Sequence, residues 1–200
     1  MNEVLEHRPL AKQSIATSGC YLFEAFNPPA VTADSAATLV MTDLSQVPSA
    51  TIHAEATLDE ANHSMLVRGV RLLIVVADHQ RIAGVVTTTD ILGEKPVLVA
   101  QQRQCSRGEL RVADVMAPVD KVEALALEDV KKATVGDIVA TLKADGRAHA
   151  IVVGQGANGT QYLLGIFSAS QIARQLGVQM IQTHEVARTF AEIEAVIAGV

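Results

Sequence analysis

The chain has 200 residues, 49% of them hydrophobic but only 3% aromatic, and a formal net charge of −6. That length allows one or two domains with a real core, and the scarcity of rings argues against binding by stacking, of single-stranded nucleic acid or of carbohydrate. The acidic balance leaves no basic footprint for a nucleic acid, and no apolar run reaches the roughly 18 residues of a membrane span.

Residues 1–10 lack the basic start and apolar run of a secretory signal. Cys20 and Cys105 lie far apart with no CxxC, so neither a disulfide framework nor structural zinc is expected, and a cytoplasmic setting is. Residues 1–35 read as an N-terminal arm with Tyr21, Phe23 and Phe26, three of the six aromatic side chains. So apolar an arm is expected to dock on the body or on a second chain. Asn27-Pro28-Pro29 breaks any helix before the next elements.

Residues 40–43 (VMTD) predict a helical turn and residues 50–53 a first strand. Thr57-x-x-Glu60 is a capping box that opens a helix, with Leu58, Ala61 and Met65 on one face. Gly69 suits the left-handed residue that ends it. Residues 72–76 form a short apolar run, read as a buried strand. A polar turn at Asp78-His79-Gln80, a returning strand over 81–86 and a short helix over 88–92 follow. Residues 94–109 form a linker with a helix expected after Pro96.

The same order then recurs. Residues 57–76 align without a gap to residues 134–153, 77 positions on: Thr57 with Thr134, Glu60 with Asp137, Met65 with Leu142, Gly69 with Gly146. Gly84-Val85-Val86-Thr87 aligns to Gly165-Ile166-Phe167-Ser168 at an offset of 81, the four extra residues falling in the loop. Residues 114–117 (DVMA) mirror the earlier helical turn, and a first strand is expected near 124–127. Val135, Ile138 and Leu142 repeat the helical stripe, and residues 169–176 repeat the short helix, ended near Gly177. The chain is thus an internal duplication of a β-α-β-β-α unit. Beyond it, residues 183–197 predict a helix with Val186, Phe190, Ile193 and Ile197 on one face, for packing within the chain or across a dimer.

This doubled order resembles the cystathionine-β-synthase (CBS) domain family, twice in tandem, the pair known as a Bateman module. The residues that carry the resemblance are VMTDL, ATLDEANHSM, RLLIVV and GVVTTTDIL in the first copy, then DVM, ATVGDIVATL, HAIVV and GIFSASQI in the second, over residues 38–177. The resemblance implies an α/β (α+β) fold of two β-α-β-β-α repeats packed through their small sheets. Repeat 1 would span 36–93, repeat 2 110–178, and a C-terminal helix would lie within 179–200.

In the family's strand-to-helix pattern, here Gly84-Val85-Val86-Thr87-Thr88-Thr89-Asp90, Thr87 would bind a phosphate and Asp90 the ribose hydroxyls. A helix N-terminus favours an anion, and a carboxylate accepts from a vicinal diol. Thr87-x-x-Asp90 is also a capping box that needs no ligand, and both roles can coexist. The second copy keeps Ser168, but Gln171 replaces the Asp; Gln can still complete a capping box and offers no charged acceptor. Arg71 and Arg147 lie where the family often carries a basic residue beside Leu-Pro-Val, although the Pro is absent here. Either could neutralise a phosphate or lie with its stem along the sheet. Gly154-x-Gly156-x-x-Gly159 matches a dinucleotide fingerprint, but a strand rather than a helix is expected after it. The six His residues show no metal-ligand spacing, and His149 reads as a surface or strand His.

The resemblance implies a non-catalytic regulatory or sensor module that binds an adenine nucleotide of the AMP, ADP, ATP, NAD or S-adenosylmethionine class between the repeats. It requires no cofactor, pairs into a homodimer through the repeat helices, and signals to an effector protein. A structural dimeriser with a vestigial pocket, and an enzyme with an unrecognised site, are the alternatives.

Overall fold

The computed structural model describes residues 11–15, 30–178 and 186–198. The aromatic cluster at Tyr21, Phe23 and Phe26, the Asn27-Pro28-Pro29 breaker, Cys20 and the helix start at Thr183 lie outside the described residues.

The strands are β1 (Thr42–Asp43), β2 (Thr51–His53), β3 (Leu72–Val76), β4 (Ile82–Thr87), β5 (Ala117–Pro118), β6 (Ala124–Ala126), β7 (His149–Gln155) and β8 (Gln161–Ser168). The helices are α1 (Leu58–Arg68), α2 (Thr88–Leu92), α3 (Lys95–Arg103), α4 (Val112–Val115), α5 (Leu127–Val130), α6 (Val135–Ala144), α7 (Ala169–Gln175) and α8 (Val186–Ala198). The duplicated β-α-β-β-α order is β2-α1-β3-β4-α2 and β6-α6-β7-β8-α7, with α5 as an extra turn in the second copy.

Local chemistry explains the elements. Thr57 and Thr134 each accept a bond from the backbone three residues on, and Glu60 and Asp137 return it, so both boxes cap their helices. The stripes Leu58, Ala61, Met65 and Val135, Ile138, Leu142 are all buried. Gly69 and Gly146 end these helices at φ +64° and +62°, where a side chain would be strained. The GxGxxG segment spans a hairpin turn between antiparallel β7 and β8, with no helix after it.

β3 is buried along its whole length because it has two apolar faces. Leu73 and Val75 join the core beneath α1 and α2, with Met65 and Ile91. Leu72, Ile74 and Val76 point the other way, into a seam with Val122, Leu163 and Ile166 of the second half. The two sheets therefore meet face to face.

The sheet orders are β2-β3-β4-β5 and β1-β8-β7-β6. Each sheet takes one edge strand from the other half of the chain: β5 pairs with β4, and β1 pairs with β8. The preceding turns follow. Ala37 and Val40 are buried in the repeat 2 core with Phe167, and Val112 and Val115 in the repeat 1 core with Leu73. The expected helical turns over 40–43 and 114–117 are therefore corrected. A helical turn precedes each segment, but Thr42–Asp43 and Ala117–Pro118 are extended because they complete a sheet. Gly84 makes one exchange possible, since a Cβ there would lie 2.2 Å from the Ala117 carbonyl oxygen.

The helix expected after Pro96 is α3, with that Pro in its first turn. In α8, Phe190 and Ile193 are buried in the repeat 2 core, whereas Ile197 is 40% exposed, so the apolar stripe packs within the chain for only part of its length.

Candidate functional site

Between the repeats lies a cavity of about 670 Å³. Repeat 1 contributes Arg71 ahead of β3, and Thr87, Thr88 and Asp90 at the start of α2. The segment after β5 contributes Lys121 and Glu123, and repeat 2 contributes Arg147, His149 and Ser170. Leu72, Val85, Val122 and Ile151 give the lining its aliphatic part, and Thr189 of α8 closes one place in the wall. Among the described residues no Phe or Tyr lines it, so a heterocycle here would rest on aliphatic side chains and the His149 imidazole.

The Thr87–Asp90 pair is a formed capping box. Asp90 Oδ2 accepts from the Thr87 backbone N–H at 2.9 Å and from its Oγ1 at 2.7 Å, and Thr87 Oγ1 accepts from the Asp90 N–H at 3.4 Å. Lys95 Nζ donates to Asp90 Oδ1 at 3.1 Å and reaches the Met116 carbonyl at 3.5 Å. An ionised carboxylate has about four acceptor positions, so Asp90 keeps acceptor capacity toward the cavity. Lys95 escapes the sequence reading. Its only signal is Pro96, which starts a helix immediately after α2 and so places a lysine beside Asp90.

Repeat 2 departs from this pattern. Ser168 makes no side-chain cap bond; its Oγ pairs with Ser170 Oγ at 3.0 Å. Gln171 Oε1 accepts from Thr42 Oγ1 at 3.2 Å. The capping box expected of Gln171 is thus corrected: the side chain turns to β1, the strand that the other half contributes to this sheet. Of the expected site residues, Arg71, Thr87, Asp90 and Arg147 line the cavity. Gly84, Ser168 and Gln171 are not among its lining residues. Gly84 instead provides the close approach to Ala117.

Arg147 pairs with Glu123 at 3.6 Å, both on the cavity wall. Arg71 is held by its backbone, whose carbonyl accepts from the Thr88 N–H at 3.0 Å. His149 stands opposite Ser168 in the β7–β8 register, half-buried and on the cavity wall rather than on an outer surface. Desolvation, then the Arg71 charge, push its pKa down to about 4, so it is neutral near pH 7.

Comparison with known proteins adds to this geometry. The family model described as "CBS domain" matches residues 28–96. An uncharacterized conserved protein from Pyrococcus horikoshii has a similar structure at TM-score 0.52 and 16% identity, covering 76% of this chain and 98% of that one. CBSX2 in complex with AMP is similar at TM-score 0.50 and 20% identity, covering 70% of this chain and 93% of that one. A search of the curated proteins found no match.

Proposed function

From a chain that carries a CBS domain at residues 28–96 and has the fold of a CBS-domain pair throughout its repeats, we propose a regulatory module rather than an enzyme. It binds an adenine nucleotide in the cavity between the repeats and passes the occupancy to an effector protein. The observation that carries this reading is the cavity itself. About 670 Å³ is the size of a small-ligand site, and both repeats place charged groups there beside an aliphatic lining. A solved structure of similar fold, CBSX2, holds AMP.

In this reading Asp90 accepts from the ribose hydroxyls while Thr87 and Arg71 face the phosphate. A ligand that touches both repeats favours one of their arrangements over another, which is what signalling by population shift requires. Thermal unfolding with AMP, ADP, ATP, NAD and S-adenosylmethionine tests it. Ligand at about 100 times its Kd adds about 2.7 kcal/mol. A clear rise in Tm that Asp90→Asn removes is the expected result. A melt unmoved by every one of these ligands overturns it.

A second reading, a structural dimeriser with a vestigial pocket, draws on the helices of repeat 1. Leu66 and Val67 at the end of α1 are 72% and 71% exposed, and Leu92, Val97 and Leu98 are also exposed. It expects a homodimer on sedimentation that Leu66→Glu disperses, and no response to nucleotides.

A further inference from the structure

The charged groups around the cavity are unequally committed. Asp90 is answered by Lys95 and by the Thr87 cap, and Glu123 by Arg147. Arg71 and Lys121 make no salt bridge among the described residues. A chain of net charge −6 thus places at this cavity two cations with no ion pair among the described residues, and a third, Arg147, held by a single exposed carboxylate. Arg71 stands at the head of β3 and Arg147 just before β7, so the cations approach from different repeats.

Resting on the reading of this cavity as a nucleotide site, we infer that it selects a ligand with a multiply charged anionic end, clamped between Arg71 of repeat 1 and the Arg147–His149 segment of repeat 2. A chain of phosphates meets this description. An uncharged nucleoside gains nothing from the cations, and a sulfonium ligand is repelled by them. Guanidinium groups suit such an end because their fork matches phosphate oxygens.

His149 gives the clamp a signature. The titratable and charged groups that share its cavity are Arg71, Asp90, Lys121, Glu123 and Arg147; α8 contributes Thr189, which does not titrate. Desolvation and the Arg71 charge keep the imidazole neutral. A polyphosphate lodged beside it offsets Arg71 and favours the imidazolium, so the imidazole takes up a proton on binding. Both ring nitrogens of the imidazolium are then donors, and the one that faces the anion binds it.

Isothermal titration of the full chain at pH 5.5 tests this, with adenosine, AMP, ATP and S-adenosylmethionine in two buffers of different ionisation enthalpy. Affinity is expected to rise from adenosine through AMP to ATP, with S-adenosylmethionine no tighter than adenosine. Arg71→Gln is expected to weaken ATP roughly tenfold, the loss of one charge-assisted contact, while adenosine is unchanged. The wild type takes up about half to one proton more than His149→Gln on binding ATP. The nucleotide's own titration is common to both proteins and cancels. Equal melts of the two at pH 7.5 verify the fold. Adenosine binding as tightly as ATP, or equal proton uptake in His149→Gln, overturns the clamp while leaving the nucleotide site standing. No binding by any of the four overturns the nucleotide site and the clamp together.

Discussion

The two repeats share a backbone and differ in what their second helices do. At α2 a Thr–Asp box caps the helix and lines a cavity, and a lysine from α3 answers the carboxylate. At α7 the corresponding Ser pairs with another Ser, and the corresponding Gln binds β1. Apolar positions hold the duplicated scaffold, Ile91 and Ile172 being fully buried in their respective cores. The polar positions at the seam carry less of the fold and are free to diverge. In repeat 1 the polar pair lines the cavity, and in repeat 2 the corresponding Gln tethers an exchanged strand. The outer helices differ as well: α3 follows α2 after a break at Gly93, whereas α8 buries Phe190 and Ile193 against repeat 2.

The exchanged strands offer the hardest test of that equivalence. A Cβ on Gly84 would lie 2.2 Å from backbone, the Ala117 oxygen, which moves only if β5 leaves the sheet. A Cβ on Gly165 would meet the Met41 sulfur at 2.5 Å, the flexible part of a side chain that can rotate away. Gly84→Ala is therefore expected to cost about 3 kcal/mol, the upper end for overpacking, and Gly165→Ala about 1 kcal/mol. Urea unfolding of both variants measures the difference. Equal costs would mean that β1 and β5 are held with the same rigidity.

Acid separates the repeats by a different route, because His149 of repeat 2 lies beside Arg71 of repeat 1. The unfolded chain protonates this His near its ordinary value of 6.5, the folded protein only near 4. Between those values the unfolded state binds more protons, so stability falls as pH drops through the window. The exposed carboxylates with lowered pKa, Asp43, Glu60, Glu109, Glu128 and Asp137, also lose their contribution on acidification, but only as pH falls into the carboxylate range. The upper part of the window, from 6.5 to about 4.5, is thus the place to look for His149. Partial exposure reduces its share to about 2 kcal/mol. His149→Gln should flatten the fall in stability over that range, as read from urea midpoints. An undiminished slope would show that His149 is not its source.

How far such features can be read in the sequence depends on how local they are. The helix starts at Thr57 and Thr134 need only residues three apart, and Gly69 and Gly146 mark their ends, so these are legible. The exchange of β1 and β5 is not, because a two-residue strand has no periodicity and its partner lies far along the chain. Thr87 and Asp90 stand out through their motif, and Arg71 through its place beside β3. Lys95, Lys121, Glu123 and His149 do not stand out. Helix packing brings Lys95 to Asp90, and the docking of two sheets, which no local spacing encodes, brings the other three to the cavity. Gln171 shows the converse limit: its spacing from Ser168 permits a cap, and a partner on another strand takes its side chain instead.

The smallest expected difference is the most direct test of the divergence at the seam. Thr87 Oγ1 accepts from the Asp90 N–H and donates to its carboxylate, so Thr87→Ala removes both and leaves an N-terminal N–H of α2 unanswered. Such a loss costs about 1 kcal/mol. Ser168 holds no equivalent bond; among the described residues its hydroxyl meets Ser170. Ser168→Ala is expected to cost less than about 0.5 kcal/mol. The two substitutions remove corresponding hydroxyls from corresponding places, so the duplicated backbone cancels in the comparison. A Ser168→Ala cost that matches Thr87→Ala would mean that α7 keeps a working cap and that Gln171 has not given up that role for β1.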